Sequence, residues 1–488
     1  MVTFFIALAL LIVGYVVYSR VSEKVFSIDT RLTPAMANPD GVDITPLPKW
    51  KAFLIELLNI AGTGPIFGAI SGALFGPIVF LWIVLGCILG GAVHDYFSGM
   101  ISSRNNGESI VKLSGKYTNK VVEVIMRIFS VVLLILVTAV FVVSPSELLQ
   151  SLTGGNVKAW IWMIIILVYY FVSTILPIDK IIGKSYPIFG IILIVMAVSV
   201  IVGVMVNSSY PMIEIIGNLR DFSKNNGDLP WWPFMLTTVA CGAVSGFHAT
   251  QSPMIAKCIK SEKEGRQVFY GAMVAEGIIA LIWAAAAMAF FKVNTADGWN
   301  LLSSLGGGTS TTVEEIAEGV LGPVGTVLAI VGVVICPITS GDTALRSCRL
   351  IVGETFKLDQ KKIKNRLILT APLFAIVIGI CVWDFAAREH FNILWRWFAW
   401  SNQVLAAITL WIATGYLFKT KENKLISLFT AIPAMFMTAV VSTYIFAEPN
   451  LALGSFIPYN IALWIGLGVT LLLASFYIFK LVTSKKQQ

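Results

Sequence analysis

Runs of about twenty almost uninterrupted apolar residues recur along the whole chain, and each is as long as an α-helix must be to cross a hydrocarbon core. The runs are continuous rather than alternating at every second residue, so lipid-facing barrel strands are excluded and helices are the only spanning structure left. Composition agrees. Of 488 residues, 57% are hydrophobic and 13% charged, against about 25% charged in soluble globular proteins. The expected fold class is therefore all-α: a polytopic transmembrane helical protein.

The pattern predicts thirteen spans, at 2–18, 50–73, 75–102, 122–145, 158–178, 186–206, 232–254, 268–292, 317–343, 364–384, 395–418, 425–446 and 457–480. No basic residue precedes the first and no small-residue cleavage site follows it, so a retained helix is expected rather than a removed signal peptide. Positively charged loops are held on the cytoplasmic side. With the N-terminus outside and the C-terminus in the cytoplasm, 29 of the 35 Lys and Arg residues fall on the inner segments, seven of them between Arg346 and Arg366. Only Lys158, Arg220, Lys224, Lys292, Arg388 and Arg396 fall on the outer ones. The net charge of +8 is thus a topology signal, and nucleic acid is not an expected partner. The six cysteines have no paired spacing, which argues against a disulfide framework or a zinc site.

Two spans are unsuited to simple lipid-facing helices. The second contains Asn59-Ile60-Ala61-Gly62-Thr63-Gly64-Pro65-Ile66-Phe67-Gly68, and the seventh contains Cys241 to Pro253, with glycines, His248, Gln251 and a proline in one stretch. Glycine and proline weaken helices, so both spans should break near mid-depth. The backbone groups released there persist in hydrocarbon only where a ligand, an ion or a water-filled cavity satisfies them. Discontinuous helices at corresponding positions of two halves point to a transporter binding site. Span two starts on the cytoplasmic side and span seven outside. Residues 50–206 (spans 2–6) and 232–418 (spans 7–11) are then expected to form a 5+5 inverted repeat, as in the amino acid–polyamine–cation transporter architecture. The 1–18 helix and the two helices of 425–480 are extra. Gly86, Gly90 and Gly91 suit close helix packing instead.

The strings Leu58 to Ile70 (LNIAGTGPIFGAI), His94 to Gly107 (HDYFSGMISSRNNG), Gly242 to Pro253 (GAVSGFHATQSP) and Trp395 to Ala406 (WRWFAWSNQVLA) resemble those of the carbon starvation protein A family. The resemblance covers most of the chain. It implies a prokaryotic inner-membrane transporter of peptides, or of pyruvate with a proton, linked to carbon starvation. The chain lacks the extended C-terminal portion of the longest members.

Charge at mid-membrane is costly and usually functional. His248, beside Thr250, Gln251 and Ser252, is a candidate substrate or proton ligand, with holding the break open as its structural alternative. Glu276 is the candidate for reversible protonation, or pairs with a neighbouring helix. Glu56 either lines an inner access path or is neutralised by Lys49 or Lys51. His94 and Asp95, close to Arg104, suggest a structural or gating ion-pair network. Thr339, Ser340, Asp342 and Thr343 could take a sodium ion with carbonyls freed near Gly62, unless Asp342 simply pairs with Arg346 at i, i+4. The amides of Asn402 and Gln403 suit a carboxylate or peptide bond, or bridge helices. A substrate carboxylate would sit near Thr63-Gly64-Pro65 or near Phe247 to Gln251, where half-helix N-termini offer donors.

Enzyme signals are missing. The glycines at 62, 64 and 68 do not make G-x-G-x-x-G, Gly242, Ser245 and Gly246 do not make G-x-S-x-G, and there is no Walker A motif. The three histidines are far apart in sequence and predict no metal cluster. No cofactor is expected. The expected partners are the lipid bilayer, a peptide or pyruvate-like carboxylate, and a coupling ion, H+ or Na+. A secondary transporter fits best, the alternatives being a sodium-coupled transporter of amino acids or other solutes, a passive channel, or a membrane-embedded nutrient sensor.

Overall fold

A computed structural model describes residues 1–41, 43–176, 182–219, 222, 230–386, 389–449, 451 and 456–485, with the side chains of 182–184, 324, 389, 392 and 485 excluded. Lys180, Arg220, Lys224, Arg388 and Lys486, which enter the charge count, lie outside the described residues, as do the side chains of Lys184 and Lys485.

Every regular element among the described residues is helical. Nine of these helices are long and apolar enough to cross a membrane, and a tenth is added if the pair Lys49–Ile60 and Gly64–Phe75, bent by 61°, counts as one span. The other three expected windows also hold helix: Ala159–Ile175 is short at 17 residues, Glu389–Thr420 is long, and the seventh is divided into Trp231–Thr238 and His248–Ala256. The helix over the ninth window is longer than expected, Ser310–Phe356, and is kinked at Gly322, whose φ of 67° interrupts it just before Pro323.

The first helix, Val2–Phe26, shows how the apolar surface is divided. Phe4, Ala7, Leu11 and Gly14 recur at three- and four-residue spacing and are buried. Phe5, Ile6, Leu10, Val13 and Val17 are exposed on the other sides. In water such a face would be a liability, whereas lipid tails solvate it.

Both broken spans have a direct sequence cause. In the second, the helix stops at Ile60 and a π-turn, Gly64–Gly68, follows around Pro65, which has no N–H to donate. In the seventh, regular helix ends at Thr238 and resumes at His248, with Gly242 at φ +88° in between. The two breaks cross in contact. A Cβ on Gly64 would collide with the Cys241 thiol, and one on Gly68 would lie 2.7 Å from the Thr238 carbonyl oxygen.

One face of the bundle gathers the basic loops. Arg104 grips Glu262 with Nε and Nη2 at 2.7 and 2.8 Å and donates through Nη1 to the Tyr416 hydroxyl at 2.9 Å. The segment after the first helix is stapled across this face: Thr33 Oγ1 donates to the Ile259 carbonyl at 2.7 Å, and Leu47 N–H to that of Cys258 at 2.9 Å. Arg31 holds the Asp29 carboxyl down at about 2 by side-chain and backbone hydrogen bonds.

The crossing yields a stability prediction. Gly68→Ala drives a methyl into a backbone carbonyl that cannot rotate away, at a cost of about 1–3 kcal/mol, so the melting temperature of the detergent-purified protein falls. Gly379→Ala, where an added Cβ meets nothing within 4 Å, leaves it unchanged or slightly raised.

Candidate functional site

Four fully buried ionisable side chains from three spans form a continuous chain at the crossing. His94 and Asp95 come from the helix Ala92–Arg104, His248 opens the second half of the broken seventh span, and Glu276 belongs to Gly271–Phe291. Asp95 Oδ1 lies 2.7 Å from His94 Nδ1, and Asp95 Oδ2 lies 2.8 Å from His248 Nδ1. The other ring nitrogen of His248, Nε2, faces Glu276 Oε2 at 3.4 Å. Neither oxygen of Glu276 has a hydrogen-bond partner among the described residues, nor has His248 Nε2. Two carboxylates thus flank one imidazole in a medium where unpaired charge is costly. The arrangement can hold and pass a cation.

Polar groups left open surround this chain. Glu56 is fully buried and accepts from Ser252 Oγ at 2.7 Å, so Lys49 and Lys51 are not its partners and a headgroup pairing is ruled out. Gln251 donates to Thr250 Oγ1 at 2.8 Å, which in turn donates to the Phe247 carbonyl at 2.6 Å. The Gln251 and Thr63 side-chain oxygens and both polar atoms of Asn59 are buried without a partner among the described residues. Asn59 escaped the sequence reading of individual side chains. Its signal was present, because it is the amide that opens the break of Gly62, Gly64 and Pro65.

Three sequence expectations are corrected. His94 and Asp95 do not share a network with Arg104. Nine residues of helix separate Asp95 from Arg104, an axial rise of about 14 Å, and Asp95 pairs with His248 while Arg104 pairs with Glu262. Asp342 and Arg346 do not pair with each other. Asp342 Oδ2 accepts from Tyr169, Ser173 and Tyr186 at 2.8–2.9 Å, whereas Arg346 meets Asp43 at 3.2 Å and the Ser173 and Leu176 carbonyls. Burial works against a charged Asp43, yet Arg346, Arg349 and Lys257 hold its carboxyl below the usual range. Asn402, third, is fully engaged by the broken seventh span. Its Oδ1 accepts from Phe247 N–H at 2.6 Å and its Nδ2 donates to Ser245 Oγ at 3.1 Å. Gln403 does the same work in part, donating to the Val244 carbonyl at 2.9 Å, while its Oε1 stays open.

The hydroxyls of the ninth span divide into two groups. Thr339 and Ser340 both reach the Leu58 carbonyl beside the first break, at 3.3 and 2.8 Å, while Thr343 bonds within its own helix. Asp342 faces the tyrosines instead. Cys241, His248 and Glu276 offer ligand atoms within 4.8 Å of one another. Folding therefore assembles a metal-compatible donor set that the separation of the histidines in sequence did not predict. One position of a three-residue set of this kind would remain open.

A relay of rings links this centre to the face opposite the basic loops. Phe247 touches Phe141, Phe141 touches Phe398, and Trp395 joins Phe398 to Phe391, with centroids 5.4–6.1 Å apart. Phe391 lines a cavity of about 970 Å³ on that face.

The sequence profile described as "Carbon starvation protein CstA" matches residues 1–160, 146–317 and 298–444. An uncharacterized membrane protein of Haemophilus influenzae is 43% identical over 60% of this chain and 92% of its own length. A protein of Bacillus subtilis named peptide transporter CstA is 26% identical, over 89% of this chain and 88% of that one. The pyruvate/proton symporter BtsT of Escherichia coli is 27% identical over 58% of this chain and 49% of that protein. Among solved structures, the Eremococcus coleocola manganese transporter superposes with a TM-score of 0.58 at 11% identity, covering 92% of this chain and 99% of that one. MhsT in complex with L-phenylalanine gives 0.56 at 12%, covering 81% and 97%. These two show a shared fold.

Two substitutions test the geometry. Asp95→Ala leaves both imidazoles without their acceptor, and breaking a buried ionic contact on one side costs about 3–5 kcal/mol, so a steep fall in melting temperature is expected. Asn402→Ala orphans Phe247 N–H at about 1–3 kcal/mol. Thermal unfolding of both variants in one detergent checks the order of the two losses.

Proposed function

The chain belongs to the carbon starvation protein CstA family, and from that premise we propose that it is a secondary transporter taking up a peptide or a small carboxylate such as pyruvate with a proton. The observation that carries this reading is the fully buried chain His94–Asp95–His248–Glu276, set where two interrupted helices cross. In this reading the chain crosses the bacterial cytoplasmic membrane thirteen times, N-terminus outside and C-terminus inside. Residues 50–206 and 232–418 are the two inverted repeats, flanked by the helix 1–18 and the pair in 425–480.

The roles follow from the contacts. His248 and Glu276 carry the proton, since they face each other with open atoms. Asp95 is a positioning residue, fixing the ring of His248 through Nδ1. The solute lies along the two breaks, where Gly62, Gly64 and Pro65 leave the backbone close, and Asn59, Thr63 and Gln251 present unpartnered polar atoms. Phe247 and Thr250 border it, and Gln403 contributes its open oxygen. Moving a buried carboxylate across the bilayer with its proton avoids carrying net charge through a low dielectric. Protonation and solute binding are thereby linked. At the inner face, Arg104 with Glu262 and Arg346 with Asp43 close the exit. The name of the Escherichia coli relative, a pyruvate/proton symporter, supports this choice of ion.

Sodium is the second reading. Thr339 and Ser340 converge on the Leu58 carbonyl beside the break, and a hard cation prefers such oxygen ligands.

The test is uptake of labelled pyruvate and labelled Ala-Ala into proteoliposomes under an imposed proton or sodium gradient. Proton-driven accumulation of one solute is expected, abolished in His248→Ala and Glu276→Gln and retained in Ser340→Ala. Accumulation driven by sodium alone and lost in Ser340→Ala would transfer the coupling role to the Leu58 site. If neither solute moves under either gradient, the transport reading fails for both.

A further inference from the structure

The broken seventh span brings three unlike donors to one point. Seven residues of regular helix would set the backbones of Cys241 and His248 about 10 Å apart along the axis. With the helix interrupted around Gly242, at φ +88°, Cys241 Sγ, a ring nitrogen of His248 and a carboxylate oxygen of Glu276 lie within 4.8 Å of one another. All three side chains are buried, and His248 Nε2 and both Glu276 oxygens have no hydrogen-bond partner among the described residues. His248 Nε2 and Glu276 Oε2 are 3.4 Å apart, and two ligands about 2.0 Å from a tetrahedral ion are separated by roughly 3.3 Å. Behind the ring, Asp95 Oδ2 lies 2.8 Å from His248 Nδ1. A carboxylate in that place favours the tautomer whose opposite nitrogen is free to ligate. Among the described residues no Lys or Arg is paired with Asp95 or Glu276.

We propose that Cys241, His248 and Glu276 form a site for one zinc-class divalent cation, with Asp95 as its outer support. Thiolate, imidazole and carboxylate together are the donor set of a borderline-soft ion, whereas Mg2+ and Ca2+ take oxygen ligands. The Cys241 thiol releases its proton to the medium as the ion binds. One thiolate and one carboxylate then cancel the two positive charges, so the ion and its three ligands are together neutral, as a low-dielectric interior favours. Little holds the thiol back. It reaches Ser245 Oγ only at 3.5 Å, and the Asn402 amide approaches it at 3.7 Å. The site stands on its own geometry, and its effect on uptake rests on the transport reading above. An ion held by His248 and Glu276 occupies the atoms that carry the proton in that reading, and so stops the cycle.

The experiment titrates the untagged full-length chain with Co2+ at pH 7 and follows its absorption. Cobalt bound to a thiolate gives an intense near-ultraviolet charge-transfer band that imidazole and carboxylate ligands alone do not. The band is expected in the wild type, removed by Zn2+ but not by about a hundredfold excess of Mg2+. Cys241→Ser is expected to abolish it, and Cys381→Ser, on another helix, to keep it. Glu276→Gln leaves the thiol in place and is expected to weaken Co2+ binding at least about tenfold, so the inference stays testable should Cys241→Ser not fold. In proteoliposomes, Zn2+ is expected to suppress proton-driven uptake, at a concentration at least about tenfold higher in Cys241→Ser than in the wild type. Absence of the band from the wild type, its survival in Cys241→Ser, or its loss to Mg2+ as readily as to Zn2+ would each overturn the inference. The band in a chain that accumulates neither pyruvate nor Ala-Ala keeps the metal site and removes the transport reading. Uptake by a chain without the band removes the metal site and leaves transport standing.

Discussion

The arrangement of the core depends on the pairing of Asp95 with His248. A carboxylate and an imidazole, both fully buried in a bundle whose outer surface is apolar, persist only because each satisfies the other. That contact joins the third span to the seventh and fixes which face of His248 turns toward Glu276. Moving either backbone by a turn would strand a charge in a low-dielectric interior. The seventh span also crosses the second, where Gly64 approaches Cys241 and Glu56 accepts from Ser252.

Breaking a helix inside such a bundle releases backbone groups that must find partners. The eleventh span supplies several of them. Asn402 gives Phe247 N–H its acceptor, and the Asn402 carbonyl takes Gly246 N–H at 3.2 Å. Gln403 satisfies the Val244 carbonyl. The uncharged amides therefore stabilise the interruption, while the ionisable chain occupies its centre. Open atoms on Asn59, Thr63, Gln251 and Glu276 cluster at the site. Unmet polar atoms grouped at one crossing are placed where a ligand can use them.

Much of the architecture was legible in the sequence. The apolar runs gave helices in every expected window, because the length of a span and the need to close backbone hydrogen bonds within it leave little freedom. The breaks were legible for a similar reason, since Gly62, Gly64 and Pro65 cannot sustain a regular helix. Partners were less so. Asp95 and Arg104 look like neighbours in a string, yet helix geometry sets them more than two turns apart. Asp342 and Arg346 have the right spacing for a pair, yet three hydroxyls claim the carboxylate and two carbonyls with Asp43 claim the guanidinium. Local spacing states which contacts are possible, and the competition among distant groups decides which are made.

By itself, the sequence determined that this protein is a bundle of membrane-length helices, that two of them are interrupted, and that His248 and Glu276 are candidate ionisable groups within it. These conclusions rest on hydrophobicity, helix length and the backbone chemistry of glycine and proline, which act within one segment. Only the tertiary structure decided that His94, Asp95, His248 and Glu276 form one chain, that Asn402 serves the backbone, and that Asp384 lines one cavity with Glu147 and Glu314. Those outcomes join residues that lie tens to hundreds of positions apart. They depend on how helices rotate about their axes when they pack, and a rotation is set by all the neighbours of a helix together.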